Sequence, residues 1–582
     1  MVNIPLRRYW LLLSRYIEPQ KARFWLLAGL LVSSIGLQIV NPQVMRFFID
    51  AAVGGEAAMR LSWAAVLFIV LALLQQGLAV SGRYVGENVA WTATNALRAE
   101  LAAHCLHLDM SFHNNTSPGE LIERIDGDVA ELSNFFSQLV IRVVGNLVLL
   151  AGILVVLFFE DWRVGIALTM FAVGAVLALT RVRGLAVPYQ KAFRAATADL
   201  FGFIEERLAG TEDIRSSGAV GFVINGLYEL QYKILGHWRE TQNRFLLIRF
   251  VGGMLHTLGT GIALALGFYL YRRSLVTIGT AYLIVHYVNL IGRPIRELTH
   301  QTEGLQNIGA ATERLADLRR VSRRIKDGPG AELGPGALGI TFDDVSFAYG
   351  EGEAVLDRIT FDVGAGAVLG LLGRTGSGKT TLARLVFRLY DPSQGSVMLN
   401  GVDIRRSALR TLRRRVAMVT QDVQLFEASV RDNLTFFDRD IRDERIVEAI
   451  EELDLAEWYA SLPEGLDTRL ETGGHGLSAG EAQLLAFTRV FLRDPGVVIL
   501  DEASSRLDPA TEQLIERSVD KLLENRTAII IAHRLTTVER ADEVMILDGG
   551  RIVEHGYRRR LATDPQARFY RLLQTGLEGV LG

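Results

Sequence analysis

The run Gly373-Arg-Thr-Gly-Ser-Gly-Lys-Thr-Thr381 decides how this chain is read. From Gly373 to Thr380 it fits the spacing G-x-x-x-x-G-K-[ST]. Val368-Leu-Gly-Leu-Leu372 just before it is a short apolar run, as a buried strand requires. Leu382-Ala-Arg-Leu-Val-Phe-Arg-Leu389 just after it has helical spacing. The order is strand, glycine loop, helix, which makes an ordinary glycine turn a poor alternative. Gly373, Gly376 and Gly378 let the backbone come close to an anion. The N–H groups of a loop running through Arg374, Thr375, Ser377 and Thr381, with the helix N-terminus, then cradle phosphates. Lys379 is placed to reach β- and γ-phosphates, and the Thr380 hydroxyl to hold Mg²⁺.

Downstream, Val497-Val-Ile-Leu-Asp-Glu502 is an apolar strand ending in two acids. Alone that pattern is weak; at this distance after a phosphate loop it is strong. Asp501 is expected to hold Mg²⁺ and Glu502 to polarise the attacking water.

Length and composition frame the rest. A chain of 582 residues predicts several domains. It is 49% hydrophobic yet 22% charged, a mixture that suits a membrane part joined to a soluble part. A net charge of -3 argues against nucleic-acid binding. With Cys105 as the one cysteine, no intrachain disulfide can form. The opening residues lack the apolar core and cleavage site of a signal peptide, so none is expected.

Six uncharged or nearly uncharged runs fall in the first 300 residues: Phe24 to about Val44, Leu61 to about Val80, Leu139 to Phe159, Trp162 to about Thr180, Leu246 to Tyr271, and Thr277 to about Ile295. Each is long enough to cross a bilayer. Residues 4–23 are basic and aromatic and read as an amphipathic helix at the membrane surface. An even number of spans puts both ends on one side. A nucleotide-binding half must meet cytosolic ATP, so the N-terminus and the C-terminal half are placed in the cytosol. The basic N-terminal segment agrees with the positive-inside rule; Arg272-Arg273, placed outside, does not. Residues 82–138 and 181–244 are helix-permissive and read as continuations of the spans into water. Breaks fall at Met110–Pro118 and Arg207–Ile214. A glycine- and proline-rich stretch, Asp327 to Gly336, marks the boundary. The expected domains are 1–320 in the membrane, 321–338 as linker, and 339–582 as the nucleotide-binding domain.

Between phosphate loop and acid pair lies Leu477-Ser-Ala-Gly-Glu-Ala-Gln483, followed by an apolar helical run. Here the chain resembles the ATP-binding-cassette (ABC) transporters, and in layout their exporter-type half-transporters of the multidrug and lipid kind. The resemblance implies a six-helix, all-α membrane domain (the type I exporter or type IV fold) followed by an α/β P-loop ATPase. It implies ATP and Mg²⁺, ATP-driven export by alternating access, and a multi-pass place in the cell's inner membrane. Residue by residue, it gives Tyr349 as the aromatic that stacks on adenine and Gln421 as the glutamine that touches Mg²⁺. Leu477 to Glu481 match the signature, with Ser478 and Gly480 facing the γ-phosphate on a partner cassette. Asp501 and Glu502 match the Walker B acids, Asp508 ends the D-loop, and His533 is the switch histidine. Taken singly, Tyr349, Gln421 and His533 have bland alternatives: a packed strand residue, a surface amide, a strand-end histidine. Their order and spacing reverse those odds.

The signature departs from the family pattern. Ala479 stands where glycine is usual, Glu481 where glutamine is usual, and Thr472 where exporters commonly have an acid. An acid at 481 should repel a γ-phosphate. The intact Glu502 and His533 with an altered signature resemble one subunit of a heterodimeric exporter, a reading placed slightly ahead of a tolerant homodimer. A soluble cassette ATPase is excluded by the six spans. An ATP-gated, channel-type membrane protein stays open as the alternative, and the sequence leaves the substrate unnamed. Polar residues in or near the spans (Gln38, Gln75, Gln76, Arg142, Asn146, His256, His286 and Asn289) are candidates for function or for interhelical hydrogen bonds.

Overall fold

The computed structural model describes residues 14–137, 143–300, 302–350, 352–420, 423–471, 477–501, 509–532 and 535–575. The chain divides into two compact units: one takes residues up to Leu106 and Pro118–Val321, the other His107–Ser117 and the chain from Ser322 on.

The first unit is helical. Its long helices are Lys21–Val53, Ala58–His107, Trp162–Gly184, Val187–Ala209 and Val220–Arg272. At 1.5 Å per residue the 50 residues of Ala58–His107 run about 75 Å, far more than the roughly 30 Å of a hydrocarbon core. The second span thus continues as helix well past a membrane's edge. Among the described residues, four stretches are long and apolar enough to cross a bilayer: Ser14–Val53, Ala58–His107, Trp162–Ala209 and Val220–Arg272. Gly145–Glu160 is apolar but has 16 residues, and it follows residues 138–142, outside the described set. Ile278–His300 carries His286, Asn289 and Arg293 among its apolar residues.

That last helix is the hub of the unit, packed against Lys21–Val53, Gly145–Glu160, Trp162–Gly184 and Val220–Arg272. Side chains at four-residue spacing, Ile153 with Leu157 and Val164 with Leu168, meet Leu283, Ile284 and Tyr287, all fully buried. Outward, Trp25, Trp63, Leu73, Phe159 and Phe268 remain exposed, the apolar face that lipid would cover.

A polar network ties helix ends together. The Arg46 guanidinium donates to both oxygens of Glu160 at 2.6 and 2.7 Å, and Gln43 Nε2 donates to Glu160 at 3.2 Å. One turn on, Asp50 accepts from Thr277 Oγ1 at 2.7 Å and from Gly279 N–H at 2.8 Å, so it caps the last span. A Cβ on Gly279 would lie 2.5 Å from the Arg46 carbonyl oxygen and 2.7 Å from the Asp50 carboxyl carbon, so glycine is required there. Glu160→Ala leaves the half-buried Arg46 without its bidentate partner and should cost about 1–3 kcal/mol. The check is the thermal midpoint of the purified protein in detergent: it should fall, and an unchanged midpoint would remove the network's role.

Among its described residues the second unit contains two sheets. One is antiparallel, in the order β2 (Leu356–Val363), β1 (Ile340–Phe347), β4 (Gln394–Leu399), β5 (Val402–Asp403). The other runs β10 (Arg551–Tyr557), β9 (Glu543–Asp548), β3 (Val368–Gly373), β8 (Thr527–Ile531), β7 (Val497–Asp501), β6 (Val416–Val419). It is parallel from β9 to β6, with β10 antiparallel at its edge. Both faces of this sheet are covered, which is why its strands read as unbroken apolar runs. Ile499, Ile529 and Ile531 face the antiparallel sheet in one core; Val498, Leu500, Ala528 and Ile530 face the helices in another.

The glycine-rich stretch 327–336 is not a free tether. Asp327 accepts from Leu409 N–H at 2.8 Å, Gly330 and Ala331 N–H donate to the Arg406 carbonyl at 3.1 and 3.0 Å, and the Arg388 guanidinium reaches the Lys326 carbonyl at 3.0 Å. His107–Ser117, read from sequence as membrane domain, groups with this second unit. It forms the short helix Met110–Asn115, and Asp109 beside it accepts from Arg324 and Ile325 N–H. The other predicted break carries the short helix Thr211–Ser216.

Candidate functional site

The phosphate loop leaves β3 at its carboxyl end. Gly373 (φ +153°), Gly376 (φ +82°) and Gly378 (φ +105°) all adopt conformations that side chains resist. At Gly373 a Cβ would collide with the Leu547 carbonyl on β9 and come within 2.6 Å of Ser377 Oγ. Gly378 caps the helix Lys379–Val386. The Lys379 side chain is buried and its ammonium donates to the carbonyls of Gly373 at 2.6 Å and Arg374 at 3.0 Å. Ser377 is 4% exposed, and among the described residues its Oγ has no hydrogen-bond partner. A buried orphan hydroxyl in a loop that also carries a buried ammonium is what a phosphate oxygen would satisfy. Arg374, Thr375 and Gly376 form the exposed rim, and Thr380 is half-buried.

Other sequence-predicted residues fall on the same edge of the sheet. β7 ends at Asp501, β8 ends two residues before His533, and β6 ends two residues before Gln421. With β3, these are four consecutive strands, β3-β8-β7-β6. At about 4.8 Å between neighbours their carboxyl ends span about 15 Å, and it is outside such ends that open α/β sheets bind ligands. Gln421, Glu502, Asp508 and His533 themselves lie outside the described residues. Thr380, Gln421 and Asp501 would offer only oxygen donors, a set that suits a hard cation such as Mg²⁺.

Tyr349 sits edge-on to Phe347 (4.9 Å) and to Tyr390 (5.1 Å). Its hydroxyl is 3.1 Å from Thr381 Oγ1 and accepts from Arg384 at 3.2 Å. Phenol and ring edge are thus fixed to the helix that follows the phosphate loop, while 37% of the residue stays exposed. Tyr390 in turn accepts from Asn114 Nδ2 at 2.9 Å. Burial, and then the neighbouring Tyr349, push the Tyr390 phenol above its ordinary pKa, so it stays a neutral hydroxyl. Nothing local in the sequence marks Tyr390 or Asn114; they are 276 positions apart.

Ser478 caps the helix Ala479–Arg493. Its Oγ accepts from Glu481 N–H at 3.2 Å, while Glu481 Oε2 accepts from Ser478 N–H at 2.7 Å. This is a capping box, S-x-x-E, visible in the sequence once sought. It holds the Glu481 carboxylate at its own helix start, beside Ser478. Gly480 is buried and Ser478 exposed. Further along that helix, buried Arg489 donates to the Asn433 carbonyl at 2.6 Å and the Gln424 carbonyl at 3.0 Å, with its guanidinium 4.7 Å from the Phe436 ring centre. Burial, and then nearby Arg493, pull its pKa down to about 10. It joins the signature helix to the segment that follows Gln421.

Comparison with known proteins agrees with this architecture. A family profile described as "ABC transporter" matches residues 356–505, and one described as "ABC transporter transmembrane region" matches residues 24–295. An ATP-dependent lipid A-core flippase of Photorhabdus laumondii subsp. laumondii is 30% identical over 550 residues, covering 91% of this chain and 92% of that protein. An uncharacterized ABC transporter ATP-binding protein of Bacillus subtilis, YfiC, is 29% identical over 555 residues, covering 95% and 91%. A solved structure of a bacterial Atm1-family ABC exporter with ATP bound superposes with a TM-score of 0.78 at 23% identity, covering 95% and 98%. The fold is therefore the helical exporter membrane domain plus an α/β cassette. The chain belongs to the ABC transporters, and it couples ATP hydrolysis to transport across a membrane.

Proposed function

We propose that this chain is one half of a two-chain exporter, with ATP and Mg²⁺ held between its Gly373–Thr381 loop and the Ser478–Gly480 signature of a partner chain. The support is the convergence of the phosphate loop, Asp501 and the approaches to Gln421 and His533 on the carboxyl ends of four adjacent strands. Lys379 and the loop N–H groups stabilise charge on the transferring phosphoryl group. Glu502 polarises the attacking water and His533 contacts the γ-phosphate. A magnesium ion, held by Thr380, Gln421 and Asp501, would bridge the phosphates and offset their charge. Asp508, the end of the D-loop, contributes to nucleotide binding. ATP binds the closed pair better than the open one, and hydrolysis releases that bias. The segments at Met110–Pro118 and Arg207–Ile214 carry closure to the spans. Both termini and the cassette lie in the cytosol, and the spans in the inner membrane. The domains divide at a linker, residues 321–338.

The partner is a second, non-identical half-transporter. Ala479, Glu481 and Thr472 support this. Native mass of the particle extracted from its own membrane should show two different chains, and two identical ones would refute the pairing.

Adenine stacking on Tyr349 gives a direct test. Base-on-ring stacking is worth about 1–3 kcal/mol, so Tyr349→Ala should raise the half-saturating ATP concentration about tenfold with kcat little changed. An unaltered ATP dependence would move the adenine elsewhere.

A further inference from the structure

Four of the amides that interrupt the spans are gathered in one place. Gln38, Gln75, Gln76 and Asn146 line one cavity of about 470 Å³ in the first unit. That size is within the range of small-molecule sites. Four charged side chains share the lining: Arg83 and Glu87 on one helix, Arg293 and Glu297 on another. In each pair the cation precedes the anion by four residues, which places both on one helix face. The set has two positive and two negative groups. The rest of the wall is mostly apolar, including Leu30, Ile35 and Leu149.

A structural role for so many polar groups would call for a dry, closed contact between helices. Here Arg83, Glu87, Gln76 and Arg293 are exposed to the cavity and its mouth. Ionisable groups at the edge of membrane spans that face a cavity mark a substrate path. Their balance of sign then constrains the substrate. An anionic headgroup would meet the arginines but be repelled by Glu87 and Glu297; a cationic one would meet the reverse. A group carrying both signs satisfies both pairs, and the amides accept or donate to its polar remainder.

We propose that this cavity is the headgroup site of the exported substrate and selects amphiphiles whose headgroup carries an ammonium and a phosphate together, their chains lying along the apolar wall. This rests on the export reading above and names its substrate class.

The test is binding, read without nucleotide. Fluorescent short-chain amphiphiles that differ only in headgroup (phosphoethanolamine, phosphoglycerol, trimethylammonium) are titrated with the assembled transporter in nonionic detergent and followed by anisotropy. Phosphoethanolamine should bind about tenfold tighter than either singly charged probe, the worth of one charge-assisted hydrogen bond. E87Q/E297Q should turn the preference toward phosphoglycerol, and R83Q/R293Q toward trimethylammonium. Chain-free glycerophosphoethanolamine should compete poorly. Equal affinity for the three wild-type probes overturns the proposal even if a variant fails to fold. A ranking that neither pair moves, or full competition by the chain-free headgroup, also overturns it. Because no ATP is present, a transporter that binds as expected yet does not hydrolyse ATP would refute the export reading and leave the headgroup site standing.

Discussion

Replacing Glu502 by Gln should lower ATP turnover by about 10²–10⁴-fold while leaving ATP binding intact. The carboxylate is expected to orient and polarise a water, a role that depends on its charge in the transition state. The amide keeps the shape and can still touch that water, but it is a far weaker base. Nothing about the phosphate cradle changes: Lys379, Ser377 and the loop N–H groups stay as they are. The loss should therefore appear in kcat and not in the equilibrium for ATP. Phosphate release gives the first quantity, and a fluorescent ATP analogue gives the second. Normal hydrolysis by the purified variant would remove Glu502 from the reaction.

Lys379→Ala should reduce both binding and turnover, with kcat down by about 10²–10³-fold. The ammonium is the one cationic side chain buried in the loop, and it donates to the Gly373 and Arg374 carbonyls. When phosphate arrives the same group is placed to turn toward it, so the contact is held ready at little cost in side-chain freedom. Alanine removes the charge and leaves those two carbonyls without that donor. Lys379→Arg tests geometry separately from charge: a planar fork does not fit where a compact ammonium lies, so it should rescue little. Wild-type ATP affinity in Lys379→Ala would contradict the reading of the loop.

How much of this was legible from residues alone depended on distance along the chain. The phosphate loop is local, and its glycines at 373, 376 and 378 announce their φ values by spacing. The apolar runs before Gly373 and Glu502 read as strands because both faces of a parallel sheet are covered. Contacts between distant residues were not legible. The 327–336 stretch looks like a tether by composition, and only its hydrogen bonds to Arg406 and Leu409 show it lying along the second unit. Asn114 and Tyr390 meet across a fold that neither neighbourhood predicts. Glu481 is the instructive case. Its charge suggests repulsion of a phosphate, and Ser478 three residues earlier spells out the capping box that holds it at the helix start. The cavity residues were visible one by one as polar breaks in apolar runs. Their convergence, and the equal count of charges, needed the helices in place.

Closure of two cassettes on ATP is open to measurement. Cys105 is buried, so a thiol placed at exposed Thr563 is the one a dye should reach. With one dye on each chain of the assembled Glu502→Gln transporter, energy transfer between cassettes should change on adding ATP with Mg²⁺ and hold, since turnover is stopped. The change should vanish when Lys379→Ala is added. Energy transfer that ignores ATP, or a particle that contains a single chain, would contradict the two-chain site on which the transport mechanism rests.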